Sequence, residues 1–301
     1  MSGEIFSHKV GIAIVGGGAS GLMAAISAAK RLKKQGLNQN VVLLEGQSRV
    51  GKKLLATGNG RCNLTNQHLS KDRYHGDTEA AFSILSQYPP KKVIALFQSM
   101  GLLCRTEEEG RVYPYCGQAS AVLDILRLQL SCLKIQEICD FQVERITKEK
   151  EGFLLYGKKG SLYEQRVILA CGGKAAPQLG ANESGMRMAK TWGHTILPAF
   201  PTLVPVRTEK ERVKALKGIR SEAVVRMYLD NSLLGEERGE VQFTDQGVSG
   251  ICVFQLSRFV GSHNPKGRLV LKLDLLPEYG VKQVGKILQA YACLLYTSRC
   301  V

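Results

Sequence analysis

Val10 to Val15 is an apolar run that stops at three glycines. The Ala- and Leu-rich stretch after it carries Lys30, Arg31, Lys33 and Lys34 on its later turns. That pattern predicts strand, tight turn and helix. Gly36 closes the helix, and Val41 to Leu44 form a second apolar run ending at Glu45. The unit is βαβ, so its two strands are expected to be parallel.

Gly51 to Asn66 is rich in Gly, Asn and Thr and lacks periodicity, which predicts a long loop with several turns. Loops of this length in compact domains are usually functional. Ala80 to Gln87, Lys91 to Met100 and Ala119 to Leu130 show helical spacing, with Pro89 and Pro90 between the first two. Phe141 to Thr147 alternates, Phe153 to Tyr156 is apolar, Lys158 to Gly160 supplies a turn, and Arg166 to Ala170 is apolar again. This order predicts a small meander that returns to the main sheet, ending at Gly172 and Gly173. Glu183 to Trp192 reads as a helix.

From Pro198 the texture changes to prolines and short strand-like segments, Ala223 to Leu229, Glu240 to Phe243 and Arg268 to Leu273. A boundary is expected near Leu197, with a β-rich domain over 198–276 and the start of a helical region over 277–292. The last stretch, CLLYTSRCV, resembles the translation of a transposon-derived sequencing adaptor, and 293–301 is expected to be a non-native tail.

With 44% hydrophobic residues the chain can bury a core. No apolar run reaches the roughly 18 residues of a membrane-spanning helix. Met1 to Lys9 lacks the order of a secretory signal, so a cytoplasmic protein without membrane partners is expected. None of the nine cysteines forms a CxxC pair, and the five histidines are scattered. Independent thiols and no metal site follow. Net charge is +15, which suits an anionic cofactor or a polyanion. The basic residues are spread along the chain, however, and a solvated surface accounts for most of them. This argues against a nucleic-acid partner while the net charge keeps that class open.

Gly16-Gly17-Gly18-Ala19-Ser20-Gly21 contains GxGxxG between strand and helix. In that setting the first glycine allows the turn, Gly18 lets backbone approach a pyrophosphate, and Gly21 lets helix pack on strand. The helix start offers free N–H groups, those of Ala19 and Ser20 among them, and a positive dipole end. Glu45 ends the second strand, where an acid can accept from ribose hydroxyls; it lies slightly farther along than the roughly 20 residues usual for this acid, an excess that the polar turn Gln35 to Asn40 absorbs. Glu45→Gln is expected to weaken cofactor binding.

The fingerprint alone does not separate FAD from NAD, and a plain NAD-dependent dehydrogenase is one reading of it. The stretch Gly51-Lys52-Lys53-Leu54-Leu55-Ala56-Thr57-Gly58-Asn59-Gly60-Arg61-Cys62-Asn63-Leu64-Thr65-Asn66 closely resembles a family of bacterial flavoproteins described as NAD(P)/FAD-dependent or aminoacetone-oxidase-like. Some of these are assigned as reductases of unsaturated 3-oxo bile acids. The resemblance runs over nearly all of Val10 to Ala292, through Gly110-Arg111-Val112-Tyr113-Pro114, Leu169 to Ala175, and Gln242-Phe243-Thr244-Asp245 with Gly247, Ser249 and Gly250. It implies an α/β fold: a Rossmann-like FAD-binding domain, an inserted β-rich domain and the start of a helical domain.

Beside a flavin, the glycines of this loop let backbone amides approach the ring and pyrophosphate. Lys52, Lys53 and Arg61 provide positive charge for phosphate or reduced flavin, and Asn59 and Asn63 can hydrogen-bond ring edges. Gly51, Gly60 and Cys62 complete the cofactor-binding set in this loop. Cys62 has no partner thiol at CxxC spacing and reads mainly as a small apolar group. The resemblance adds Val143, where related enzymes meet adenine through backbone, and the strand end Gly172-Gly173, with Cys171 where many such enzymes have Thr.

Two features depart from the family pattern. Glu183-Ser184-Gly185 stands where relatives often have Gly-Asp-Gly. Relatives also continue for roughly another hundred residues, returning to the FAD domain, so the polypeptide as written is expected to bind FAD weakly or not at all and to be inactive alone. Tyr113 and Tyr115 could donate protons but suit loop packing equally, and no catalytic residue is assigned. The function implied for the whole protein is hydride transfer from NAD(P)H through FAD to a small organic acceptor such as an enone. The alternatives are an RNA-binding, tRNA-modifying flavoprotein and an amine oxidase using oxygen.

Overall fold

Strands buried on both faces read as continuous apolar runs, and Ile12 to Val15 and Val41 to Leu44 are such runs at the centre of the N-terminal sheet. Strands β1 (Phe6–Ser7) and β2 (Gly11–Val15) are followed by helix α1 (Ala19–Lys34) and strand β3 (Asn40–Leu44). The computed structural model describes residues 6–7, 11–37, 40–262 and 267–297. The end of the expected tail, 298–301, lies outside them. The chain forms two compact units, Met1–Leu197 and Pro198–Val301.

In the first unit β2 and β3 pair in parallel, as expected of a βαβ crossover. After β3 the chain makes β4 (Thr65–Asn66), α2 (Thr78–Leu85), α3 (Pro90–Ser99), β5 (Cys104–Thr106), β6 (Arg111–Pro114) and α4 (Ala119–Cys132). Pro90 starts α3 rather than separating two helices, because its missing N–H is one that a first turn leaves unpaired anyway. Then come β7 (Gln136–Ile138), β8 (Val143–Lys148), β9 (Phe153–Gly157), β10 (Gly160–Glu164), β11 (Arg166–Leu169) and α5 (Ser184–Thr191).

These strands make a sheet in the order β11-β2-β3-β7, a meander sheet β1-β10-β9-β8, and a small sheet β4-β6-β5. Side-chain alternation sorts the parallel strands between two cores. Ile14 and Leu43 face α1 and α4, against Leu22, Ile26, Val122 and Leu126. Ala13, Val15, Val42 and Leu44 face the meander, against Val143, Leu155 and Leu162. The expected loop over 51–66 is irregular apart from a 3₁₀ turn at Leu54–Ala56 and the two residues of β4.

The second unit contains β12 (Val206–Arg207), α6 (Lys210–Val213), β13 (Arg220–Leu229), β14 (Ser232–Phe243), β15 (Gly247–Ser249), α7 (Ile251–Leu256), α8 (Arg258–Ser262), β16 (Leu269–Asp274) and α9 (Val281–Thr297). Its sheet order is β12-β15-β14-β13-β16. Ala223, Val225 and Met227 of β13 pack with Cys252, Val253 and Leu256 of α7. Alternate residues carry the Arg226–Glu236 ion pair and the Lys272 contact over the Tyr228 ring. The unit is β-rich, and α6, α7 and α8 lie where its sequence showed no helix. Among the described residues no helix is long and apolar enough to cross a membrane.

Candidate functional site

The end of β2 and the start of α1 are forced together by glycine. Gly16 has φ of 111° and donates its N–H to the Leu44 carbonyl at 2.8 Å, closing the turn against β3. At Gly21 a Cβ would stand 1.7 Å from the Gly16 carbonyl oxygen, so only glycine lets α1 lie this close to the strand end. Gly17, which the fingerprint leaves unspecified, is confined as well. A Cβ there would meet Val50 at 2.5 Å and the Glu45 carboxylate at 2.9 Å. Gly18 differs: a Cβ on it would meet nothing within 4 Å, because that side of the turn is open.

Glu45 fixes the turn from the second strand. One carboxylate oxygen accepts from Gly17 N–H at 2.7 Å and the other from Gln47 N–H at 2.8 Å. A carboxylate has about four lone-pair sites, so two remain for hydroxyl donors. The first turn of α1 has neither an acidic residue nor a side-chain cap, and its N–H groups keep their capacity for an anion. Glu45→Gln puts an amide NH₂ where one backbone N–H now donates. We expect it to weaken dinucleotide binding about tenfold or more, at roughly 1.5 kcal/mol for a charged hydrogen bond, read by cofactor titration of the complete gene product. An unchanged dissociation constant would contradict this role.

A cavity of about 560 Å³ opens over the turn, within the usual range for cofactor sites. Of the residues expected from sequence, Gly16, Gly18, Ala19, Ser20, Glu45, Gly51, Lys52, Lys53, Cys62, Asn63, Val143 and Gly172 line it. Gly21 sits behind the turn, in its packing role. Asn59, Gly60 and Arg61 lie off the lining, on a turn where Gly58, Asn59 and Gly60 are all left-handed, and Gly173 lies beyond the strand end. Arg61 instead pairs with Glu107 and covers the Tyr113 ring. Sequence reading missed Arg49, Gln47 and Asn182 in the lining. Arg49 and Gln47 fall in the short stretch between Glu45 and the Gly51 loop, and Asn182 precedes a helix that looked merely structural.

Residues 10–257 match the family described as HI0933-like protein Rossmann domain. The chain belongs to this family. It is 39% identical to the 3-dehydro-bile acid delta(4,6)-reductase of Clostridium scindens, over 91% of this chain and 66% of that protein. It is 28% identical to the ribosomal RNA dihydrouridine synthase of Haemophilus influenzae, over 90% and 65%. The Escherichia coli protein of that name is 26% identical over 88% and 63%. The chain thus spans about two thirds of the length of these curated relatives.

The HI0933-like family binds FAD, and the cavity suits that group. The open side of Gly18, the uncapped helix start and the spare acceptor sites of Glu45 match a pyrophosphate joined to an adenosine ribose. Around them lie three cations. Lys52 Nζ donates to the Gln47 side-chain oxygen at 3.2 Å, while Lys53 and Arg49 have no ion-pair partner among the described residues. Cys62 is buried at a left-handed position (φ 58°), and burial pushes its thiol up, against a smaller opposite effect of the Thr57 hydroxyl. Such a thiol is a poor nucleophile. The Cys171 thiol, also pushed up by burial, donates to the Val15 carbonyl at 3.4 Å. No group of metal-ligating side chains occurs among the described residues. Tyr113 is buried and Tyr115 exposed, and neither lines the cavity.

Proposed function

We propose that the complete protein is an FAD-dependent oxidoreductase that uses NAD(P)H to reduce a carbon–carbon double bond conjugated to a carbonyl, an enone such as an unsaturated 3-oxo steroid or bile acid. The observation that carries this reading is the cavity itself. It joins a glycine turn with an open helix start, a strand-end carboxylate with free acceptor sites, and a Gly- and Asn-bearing loop along its wall. The printed activities of the relatives share one chemistry. A delta(4,6)-reductase and a dihydrouridine synthase both imply saturation of a double bond conjugated to a carbonyl, in a steroid in one case and a pyrimidine base in the other. The 39% relative favours the small-molecule substrate over the 28% one.

The chain's residues divide the work by position. The α1 N–H groups with Lys53 and Arg49 neutralise phosphate charge, and Glu45 accepts from ribose hydroxyls. Leu54, Phe97, Val122 and Leu126 give the cavity an apolar wall that excludes water. Asn63 offers both a donor and an acceptor in the lining. Bound FAD supplies a two-electron hydride relay between donor and acceptor, and the protein orients it.

The complete gene product, supplied with NADH or NADPH and a panel of enones including unsaturated 3-oxo steroids, should consume reduced nicotinamide only when an enone is present. Turnover on ribosomal RNA alone would move the substrate to uridine, and consumption that needs only oxygen would replace the reductase reading with an oxidase.

A further inference from the structure

The loop along the cavity wall is folded more tightly than its glycines alone require. Gly58, Asn59, Gly60 and Cys62 all have positive φ, between 56° and 82° for the first three and 58° for Cys62. Such runs persist only where the surroundings over-determine them. Backbone bonds contribute: Cys62 N–H donates to the Thr57 carbonyl at 3.0 Å, and Ala119 N–H to the Gly60 carbonyl at 2.8 Å. The remaining tie is a side chain. Arg61 Nη2 lies 2.5 Å from Glu107 Oε1, and Arg105 Nη2 lies 2.8 Å from the same oxygen.

The same guanidinium stands 4.1 Å from the centroid of the Tyr113 ring, whose edge lies 3.4 Å from the place a Cβ on Gly58 would occupy. Arg61 thus connects its own turn to the β5–β6 hairpin through its guanidinium, by the ion pair with Glu107 and the contact over the Tyr113 ring. The hydrogen bond from Arg61 holds the Glu107 carboxyl below the usual carboxylate range. On either side of this tie, Thr57, Cys62 and Asn63 face the cavity and Arg61 does not.

We propose that Arg61 is a positioning residue rather than a cofactor contact: with Glu107, which Arg105 holds in place, and with Tyr113, it locks the 58–62 turn in the form that presents Cys62 and Asn63 to the cofactor cavity. This rests on the reading of that cavity as the FAD site. The two roles predict opposite results for Glu107→Gln, which leaves Arg61 intact. A guanidinium serving the cofactor directly would be freed by that change, and FAD would bind as well or better. A lock would be weakened.

In the complete gene product we expect Glu107→Gln and Arg61→Lys each to weaken FAD binding about five- to thirtyfold and to speed amide exchange over 57–63 in the cofactor-free protein. Lysine keeps the charge but loses the planar fork and the stack. The double change Glu107→Gln with Arg61→Lys should cost little more than either single change, as partners in one tie do, whereas two independent destabilisations of the hairpin would add. Wild-type affinity in Glu107→Gln, or unchanged exchange over 57–63 in both single variants, would overturn the proposal. Should the wild-type protein bind no FAD, the cofactor reading fails, and the exchange measurement still decides whether the lock exists.

Discussion

Gly21→Ala is expected to destabilise the first unit by about 3 kcal/mol and to abolish FAD retention. The added Cβ would lie 1.7 Å from the Gly16 carbonyl oxygen, 2.9 Å from its carbonyl carbon and 3.4 Å from the Ala170 side chain. The first two are backbone atoms, so no rotamer change relieves the contact. Either α1 lifts from the sheet, loosening Leu22 and Ile26 from Ile14 and Leu43, or the Gly16 turn opens. Overpacking of this kind costs roughly 1–3 kcal/mol, occasionally more, and both escapes disturb the helix start that faces the pyrophosphate. Gly18→Ala is the matched control. Its Cβ meets nothing in the protein, so it should melt like wild type and lose FAD affinity only. Paired thermal melts and FAD titrations check this, and a Gly21→Ala protein that melts and binds like wild type would contradict the packing argument.

The second large effect is a dependence on pH set by Glu164. This residue, at the end of β10, is completely buried, and neither carboxyl oxygen has a hydrogen-bond partner among the described residues. Its Oε2 lies 1.9 Å from where a Cβ on Gly11 would stand, so a glycine in β2 makes room for it. Burial pushes its pKa from 4.5 up to about 7. The folded state therefore binds the proton more tightly than the unfolded state. The protonated form is at full stability below about pH 4.5, and stability falls as pH rises from there to about 7 and stays low above. The loss amounts to about 3 kcal/mol. Glu164→Gln should match wild type at pH 4.5 and exceed it by about that amount at pH 8.5, by denaturant unfolding at both. A constant difference between the two proteins across that range would count against it.

Glu164 also shows why part of the fold was hidden in the sequence. Ser161 to Glu164 drew no strand expectation, because an acid stands at the buried position that an apolar residue would have marked. Strand β7 has three residues, too few for any period to show. In α7, Ile251 is 77% exposed while Cys252, Val253 and Leu256 are buried, and a six-residue apolar run carries no helical signature that separates it from a strand. By contrast β2 and β3 were legible from a burial demand on both faces, and α1 from one buried face sustained over 16 residues. The site divides in the same way. Gly16, Gly18, Gly21 and Glu45 act through local geometry that spacing records. The pairing of Arg61 with Glu107 joins residues far apart in the chain, and only the β5–β6 hairpin brings them together. Arg49 lacked any motif to single it out.

The account depends on the glycine turn and Glu45 holding FAD. The most direct test is to express the complete gene, purify its product, and measure the visible spectrum and the FAD released on denaturation. Near-stoichiometric bound FAD, lost together with the colour in Gly21→Ala, is the predicted result. A colourless wild-type protein that takes up no FAD when the cofactor is added in excess would contradict it.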